Sequence, residues 1–434
     1  MQCAKMNKVA FYLDNERIVS VDCSDILSGN PGIGGTEYMI IVISYLLATR
    51  NNGLNVKTFT RKHGHFPDGY NYEVVGDFIS AVNKAVEEGF DYFIFKHDAS
   101  LIKSGVLNNI DSNIKLIVWD HVFVCYWELD YYDRNPNIFK IVYVGREMYD
   151  LYRDHRSFRK SCYIYNCIHL DGIPEKVYRH PFSKRKNVVV YVGGLLPYKG
   201  FHLLAEAWPK ILSSVPDAEL YVIGTGRLYD KNIEMGEYGL AERLYEKLFM
   251  QYLSKDGKIL PGVHFMGNMG QDKNDILLQA KVGVPNPSGI TETFCISAVE
   301  MQVMGALVTT INYPGFLDTV KNGILYHDRK CLAGNVIKLL KSDNLKYEET
   351  IKYFNDNMSY DSVASKWEKL LSGSTCKQDI ALHNAFYRLK WLKECRRRLA
   401  CVFPIIYRFP PIERALLFFE RVRKGNVTYI DSKS

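Results

Sequence analysis

Pro285-Asn286-Pro287-Ser288-Gly289-Ile290-Thr291-Glu292-Thr293-Phe294-Cys295-Ile296-Ser297-Ala298-Val299-Glu300 is the stretch whose reading decides the fold. Val282-Gly283-Val284 precedes it, a short apolar run that reads as a buried strand ending in a proline-bounded loop. From about Phe294 the pattern becomes helical. Phe294, Ile296, Val299 and Met301 are apolar, Ala298 and Gly305 are small, and no proline intervenes. Two carboxylates therefore have different settings: Glu292 in the loop before the helix, and Glu300 almost two turns inside it. At ~1.5 Å per residue, Glu300 lies on the order of 9 Å along the axis from Phe294. The first helical turn offers free N–H groups and a positive dipole end, which suit a phosphate. A ligand made of a sugar, a diphosphate and a ribose meets these three features in order. For an isolated pair of glutamates, two solvated side chains are the simpler reading, so the surrounding residues decide.

Those residues alternate strands with helices. Val9-Ala10-Phe11-Tyr12-Leu13 reads as a strand, and a polar loop leads to Pro31-Gly32-Ile33-Gly34-Gly35-Thr36-Glu37 and an apolar helix over about 38–48. Further strands are expected at 56–59, 92–95, 116–119, 141–144 and 163–165. Such alternation predicts a parallel sheet covered on both faces. Glycines between strand and helix let the backbone approach a phosphate, although many turns share that composition. Lys96-His97-Asp98 and Trp119-Asp120-His121 place histidines at strand ends, where open α/β sheets gather ligands. A polar, basic linker is expected over about 172–186, with Pro174 and Pro181. A second alternating series starts with the strand Asn187-Val188-Val189-Val190-Tyr191-Val192. Gly193-Gly194-Leu195-Leu196-Pro197-Tyr198-Lys199-Gly200 then opens a helix to about residue 213. Val263-His264-Phe265-Met266-Gly267-Asn268-Met269-Gly270 reads as a strand and turn.

Pro287-Ser288, Glu292, Phe294 and Glu300 together resemble the signature of family 4 glycosyltransferases of GT-B fold, with two Glu separated by seven residues. Gly315-Phe316-Leu317-Asp318-Thr319-Val320 and Asn322-Gly323 resemble that family's glycine-rich turn and following segment, with Asp318 where Glu is usual and Pro314 in place of a glycine. The resemblance implies an α/β protein of two Rossmann-like domains with the active site between them. It implies that Glu300 binds the donor ribose, that Glu292 contacts the transferred sugar, and that the amides of Phe294 and Cys295 hold the diphosphate. By the same likeness Gly34 and Gly35 face the diphosphate across the cleft, and the backbone near Met269 meets the nucleobase. His121 stands at the strand end that faces the reacting sugar, with His97 as an acceptor-side residue. Lys199 matches the lysine of the family's phosphate clamp. The arginine five residues earlier is replaced by Gly194, and Arg227 is a conceivable substitute. Asn166-Cys167-Ile168-His169 resembles the segment closing the first domain.

The expected activity is retaining transfer of a sugar from a nucleotide-diphosphate donor, of UDP or GDP type, to an acceptor hydroxyl. The acceptor would be a glycan or a lipid-linked glycan in surface polysaccharide or glycolipid synthesis. The alternatives are a catalytically silent sugar-nucleotide binding subunit, motivated by Gly194, and an epimerase or phosphorylase on the same fold. No Asp-x-Asp motif is present, so a metal-independent mechanism with no cofactor is expected.

A length of 434 residues suits two full cores. The expected divisions are 1–172 for the acceptor-side domain, 173–374 for the donor-binding domain with its linker, and 375–434 for a basic helical extension. No run of about 18 apolar residues appears, and Met1 to Lys8 leads directly into a strand without a signal-peptide core. The ten cysteines are scattered, which fits reduced thiols of a cytoplasmic protein. Residues 375–434 carry 13 Lys and Arg against 5 Asp and Glu, a net +8, so the remainder of the +7 chain is at −1. Within that extension Leu389, Leu392 and Leu399 form an apolar stripe on a basic helix, and Trp391, Phe403, Tyr407, Phe409, Phe418 and Phe419 interleave with the charge. Three readings stay open: docking on an anionic membrane at its inner face, packing on the body with a solvated basic face, and nucleic-acid binding. The last ranks lowest because no RNA-binding motif accompanies the charge. On the first reading the body folds without the extension.

Overall fold

A computed structural model describes residues 7–110, 113–227, 233–344, 346–373 and 381–423, with side chains to residue 417. The first half forms β1 (Asn7–Leu13), β2 (Leu54–Thr60), β3 (Tyr72–Val74), β4 (Tyr92–Lys96), β5 (Lys115–Asp120), β6 (Ile138–Tyr143) and β7 (Ser161–Tyr163). They make one parallel sheet of order β3-β2-β1-β4-β5-β6-β7. The chain then forms β8 (Val188–Val192), β9 (Glu219–Ile223), a small antiparallel ribbon of β10 (Ser254–Lys255) and β11 (Lys258–Ile259), then β12 (Val263–Gly267), β13 (Val282–Gly283), β14 (Leu307–Ile311) and β15 (Gly323–Tyr326). Apart from the ribbon, these make a second parallel sheet of order β12-β9-β8-β13-β14-β15. Both are Rossmann-like, with apolar central strands buried under helices, as the run Val188-Val189-Val190 requires.

The strand order reverses between β1 and β4 in the first sheet and between β8 and β13 in the second. Open parallel sheets leave a crevice at such a point, beyond the carboxyl ends of the flanking strands. The loop after β8 carries Gly193 to Gly200, and the loop after β13 carries the stretch from Pro285 to Cys295. Glycine brings these pieces close. A Cβ on Gly283 would lie 2.4 Å from Met301 Sδ, so helix Ile296–Val303 sits directly on β13. A Cβ on Gly224, whose φ is +141°, would lie 1.9 Å from Gly193 O, so the β8 loop rests on the backbone after β9.

Several elements differ from expectation. The first helix begins at Gly35 with Gly34 as its N-cap, three residues ahead of the apolar run, and the helix after β13 begins at Ile296 rather than Phe294. The short edge strand β3 is too brief to show a period. Residues 172–186 are not a bare linker: Ile173–Arg179 is a helix with Pro174 in its first turn, where a missing N–H costs nothing. Helix Tyr360–Leu371, near the end of the donor-side sequence, crosses back to the first sheet. Its Trp367 is fully buried, 4.8 Å from the Trp119 ring and 6.5 Å from Phe11. Asn7 Nδ2 donates to Leu371 O at 2.8 Å, and Arg50 pairs with Asp361 and Glu368.

The extension departs furthest from a separable basic tail. In helix Lys390–Val402 the charged side is turned inward against the first domain. Lys390 Nζ lies 2.7 Å from Glu147 and 3.3 Å from Asp150. Arg153, fully buried, bridges Asp150 at 2.6 Å and Glu394 at 2.9 Å. Lys393 pairs with Glu413 of helix Ile412–Arg423, and Asp154 accepts from Ile412 N at 2.7 Å. Leu392 and Leu399 of the apolar stripe are exposed. The side chains of Phe418 and Phe419 lie outside the described residues.

Candidate functional site

A cleft of about 200 Å³ lies at the second sheet's switch point. The first domain lines it with Asn30, Gly32, Ile33 and Gly35. The second contributes Gly193, Gly194, Lys199, Met269, Lys273, Asn286, Glu292, Phe294, Cys295, Ser297 and Glu300. Gly34 sits beside these as the cap of the helix that Gly35 opens. The two domains meet across the cleft: Asn268 Nδ2 donates to Gly32 O at 3.0 Å, and Thr293 Oγ1 donates to His121 O at 2.7 Å.

Two lysine–carboxylate pairs organise the donor side. Lys199 ends the short turn Pro197–Lys199, and its Nζ lies 3.0 Å from Glu292 Oε2. Asn286 Nδ2 donates to the same oxygen at 2.7 Å. The loop that carries them turns through left-handed backbone at Asn286 (φ +32°), Gly289 (φ +71°) and Thr291 (φ +62°). Such conformations in residues other than glycine are held by their surroundings and cluster at ligand sites. Here the hold includes Gly200, whose φ of +70° brings its backbone against Ser288. Lys273, the first residue of helix Lys273–Gln279, forms the second pair, Nζ to Glu300 Oε1 at 3.0 Å. Behind Glu300 the Tyr38 and Tyr360 hydroxyls meet at 2.9 Å. Between the pairs, the start of helix Ile296–Val303 presents N–H groups that no intrahelical carbonyl reaches.

Lys273 is not among the residues that the sequence singles out. Its burial shows only once β12 takes its place two strands from β8 and β13 lies on the other side of β8. Arg227 is exposed and does not line the cleft. The position of Gly194 does line it, so the additional cation on the donor side is Lys273.

The two histidines lie outside the lining. His121 follows β5 and packs against Trp119, with ring centroids 4.7 Å apart and the rings tilted by 53°. Burial, with the Lys96 charge second, pushes its pKa down to about 3, so the ring is neutral. His97 is buried in the first domain, its Nδ1 2.7 Å from the Tyr132 hydroxyl and its Nε2 3.6 Å from Glu128. Burial lowers its pKa to about 4. Asp120 lies beside it, and burial raises its carboxyl well above the usual range. Asp318, the residue standing for a usual Glu, joins the domains rather than lining the cleft: it accepts from Glu147 N at 2.8 Å and from Tyr165 Oη at 3.1 Å. Among the described residues no group of three His, Cys, Asp or Glu is placed to hold a metal ion.

Residues 173–356, which carry both lysine–glutamate pairs, match the family model described as Glycosyl transferases group 1. That part of the chain is similar to the group 1 glycosyl transferases. The chain shares its GT-B architecture with solved structures of low sequence identity. A glycosyltransferase from Rickettsia africae ESF-5 superposes with a TM-score of 0.62 at 14% identity, covering 86% of this chain and 100% of that one. Anabaena Alr3699/HepE in complex with UDP and glucose superposes with a TM-score of 0.57 at 15% identity, covering 85% and 100%. Among curated proteins, the phosphatidylinositol N-acetylglucosaminyltransferase GPI3 subunit of Saccharomyces cerevisiae is 25% identical over 157 residues, 36% of this chain. That match spans only 30% of the yeast protein's length.

Proposed function

We propose that the chain transfers a sugar from a nucleotide-diphosphate donor to an acceptor hydroxyl with retention of configuration. The acceptor is a glycan or lipid-linked glycan of surface polysaccharide or glycolipid synthesis. The observation that carries this reading is the row formed by Lys199–Glu292, the start of helix Ile296–Val303 and Lys273–Glu300 in one cleft. A donor laid along that row puts its sugar at Glu292, its diphosphate at the helix start beside Lys199, and its ribose at Glu300. A UDP donor is supported by the UDP and glucose in the Anabaena complex.

The bond that breaks is C1–O to the diphosphate, and the bond that forms is C1–O to the acceptor. Attack from the leaving-group face lets a departing phosphate oxygen take the acceptor proton. The protein's part is then to stabilise negative charge on the diphosphate, which preorganised donors do best in a site that excludes water. Lys199 exchanges Glu292 for phosphate, the helix-start amides donate, and Gly35 lets the opposing backbone come close. Glu292, freed, accepts from a sugar hydroxyl. Asn286 keeps that carboxylate aimed.

The test is a transfer assay on the full chain with UDP-glucose, UDP-N-acetylglucosamine and GDP-mannose against a panel of glycolipid acceptors in EDTA. One donor should give a glycoside with retained anomeric configuration and stoichiometric nucleoside diphosphate. An epimerised donor or a free sugar phosphate without glycoside would replace this reading by the enzyme alternatives. Donor binding with no turnover would make the chain a silent binding subunit.

A further inference from the structure

Helix Lys390–Val402 has the arrangement of a surface helix turned inside out. Lys390, Lys393 and Glu394 are buried against the first domain. Trp391, Leu392, Arg398, Leu399 and Val402 fall on the opposite side by helical spacing, and all five are exposed. At and beside the turn Pro404–Arg408, which follows directly, Phe403, Ile405 and Phe409 are each more than half exposed, at 58%, 60% and 65%. Single exposed apolar residues are ordinary, but a cluster on one side of one element marks an interaction surface. The ion pairs beneath hold the face in shape, so a partner finds it formed and no ordering cost is added on binding.

The chemistry of the rim selects the partner. A recess of about 460 Å³ at the turn is lined by Arg156, Arg159 and Arg408 together with Ala400, Pro404, Ile405 and Tyr407. Arg156 and Arg159 share one carboxylate, Asp133, at 3.5 and 3.0 Å, which leaves net positive charge at the opening. Arg398 stands at the edge of the helix with its side chain 75% exposed. A nucleic acid would satisfy the arginines and leave the aliphatic residues of the face without a role.

We propose that this face docks on an anionic lipid bilayer, with the Arg156–Arg159–Arg408 recess taking a headgroup phosphate and the Trp391, Phe403 and Phe409 side chains entering the interfacial layer. The reading is independent of the transfer chemistry. It differs from attraction by the whole +8 of the extension, because Lys390, Lys393, Arg396 and Arg397 are turned inward onto carboxylates. Attachment therefore needs both parts, apolar contact and the few cations of the recess, which make it sensitive to lipid charge and salt.

Cosedimentation of the full chain with phosphatidylglycerol vesicles and with phosphatidylcholine vesicles tests this. Wild type should pellet with the anionic vesicles and bind the neutral ones weakly. The double variant Phe403→Ser, Phe409→Ser should lose about tenfold or more of that affinity. Arg408→Ser should lose about fivefold on anionic vesicles and nothing on neutral ones. Melting temperatures should stay at the wild-type value, since all three side chains are exposed. Wild type left in the supernatant of anionic vesicles at low salt overturns the proposal, as does a double variant that binds like wild type. Concentration-dependent dimerisation lost in the double variant, without vesicle binding, would give the face to a second copy instead.

Discussion

The cleft and the underside of the extension both pair buried cations with carboxylates, and they do so in opposite styles. In the cleft each lysine meets one carboxylate: Lys199 meets Glu292, and Lys273 meets Glu300, all at the rim of open space. Under the extension the charges interlock. Arg153 and Asp150 have no exposed side-chain surface, and Arg153, Asp150, Lys390, Glu147 and Glu394 share partners in one buried set that Glu394 extends to Arg397 and Arg398. A phosphate can replace the carboxylate beside Lys199, because Glu292 keeps Asn286 as a donor at the edge of open space. Nothing can enter the sealed set without unpacking it. One arrangement is held ready for exchange, and the other fastens a helix.

Arg153→Met should show the largest effect. Removing one partner from a buried network costs ~3–5 kcal/mol, because the remaining charges lose their compensation. Urea unfolding should register that loss while UDP affinity stays at the wild-type value. Loss of UDP binding in a folded variant would break the comparison, since the sealed set would then be coupled to the cleft.

Lys199→Met should do the reverse. A cation on the leaving diphosphate is worth roughly 10²–10³ in turnover, whereas a partly solvated pair contributes at most ~1 kcal/mol to stability. Transfer assays should fall by that factor with the unfolding midpoint nearly unchanged. A stability loss as large as that of Arg153→Met would move Lys199 into the fastening class.

A third effect, a dependence on pH, is expected at Asp318, which lies between the two regions. Burial, with the Glu147 charge second, pushes its carboxyl from 3.8 up to about 7. Between those values the native state keeps a proton that the unfolded chain has released. Stability from this group is therefore fully present below about pH 4 and is lost as pH rises through about 7. Asp318→Asn keeps a neutral side chain throughout, with its Oδ1 accepting from Glu147 N and its amide donating to Tyr165. The stability of the variant relative to wild type, by urea unfolding, should rise between about pH 5 and about pH 8. A constant difference would mean that Asp318 is ionised in the native state and paired elsewhere.

What the sequence made legible follows from the range of each interaction. The strands β8 and β13, the glycine turns after them, and the placing of Lys199, Glu292 and Glu300 depend on residues close in the chain. Lys273 depends on β12 lying two strands from β8, which no local pattern expresses. The orientation of helix Lys390–Val402 was also hidden. Its basic residues imply a solvated face only until Glu147, Asp150 and Asp154, some 240 positions earlier, are known to lie beneath it. The same holds for helix Tyr360–Leu371, whose amphipathic pattern shows that it packs and not on which domain.

That returning helix has a consequence for biosynthesis. The first sheet's core includes Trp367 against Trp119 and Phe11, so the earliest segments to leave the ribosome depend on one of the later ones. At on the order of ten residues per second, Trp367 emerges tens of seconds after β5. During that interval the donor-side sheet, whose strands and helices are contiguous in the chain, can close around its own core. The amino-terminal half must wait with an apolar face uncovered, and it reaches its final form only when the carboxyl-terminal helices arrive. For this polypeptide the order of synthesis and the order of completion run in opposite directions, and the exposed interval is where a nascent-chain chaperone would act.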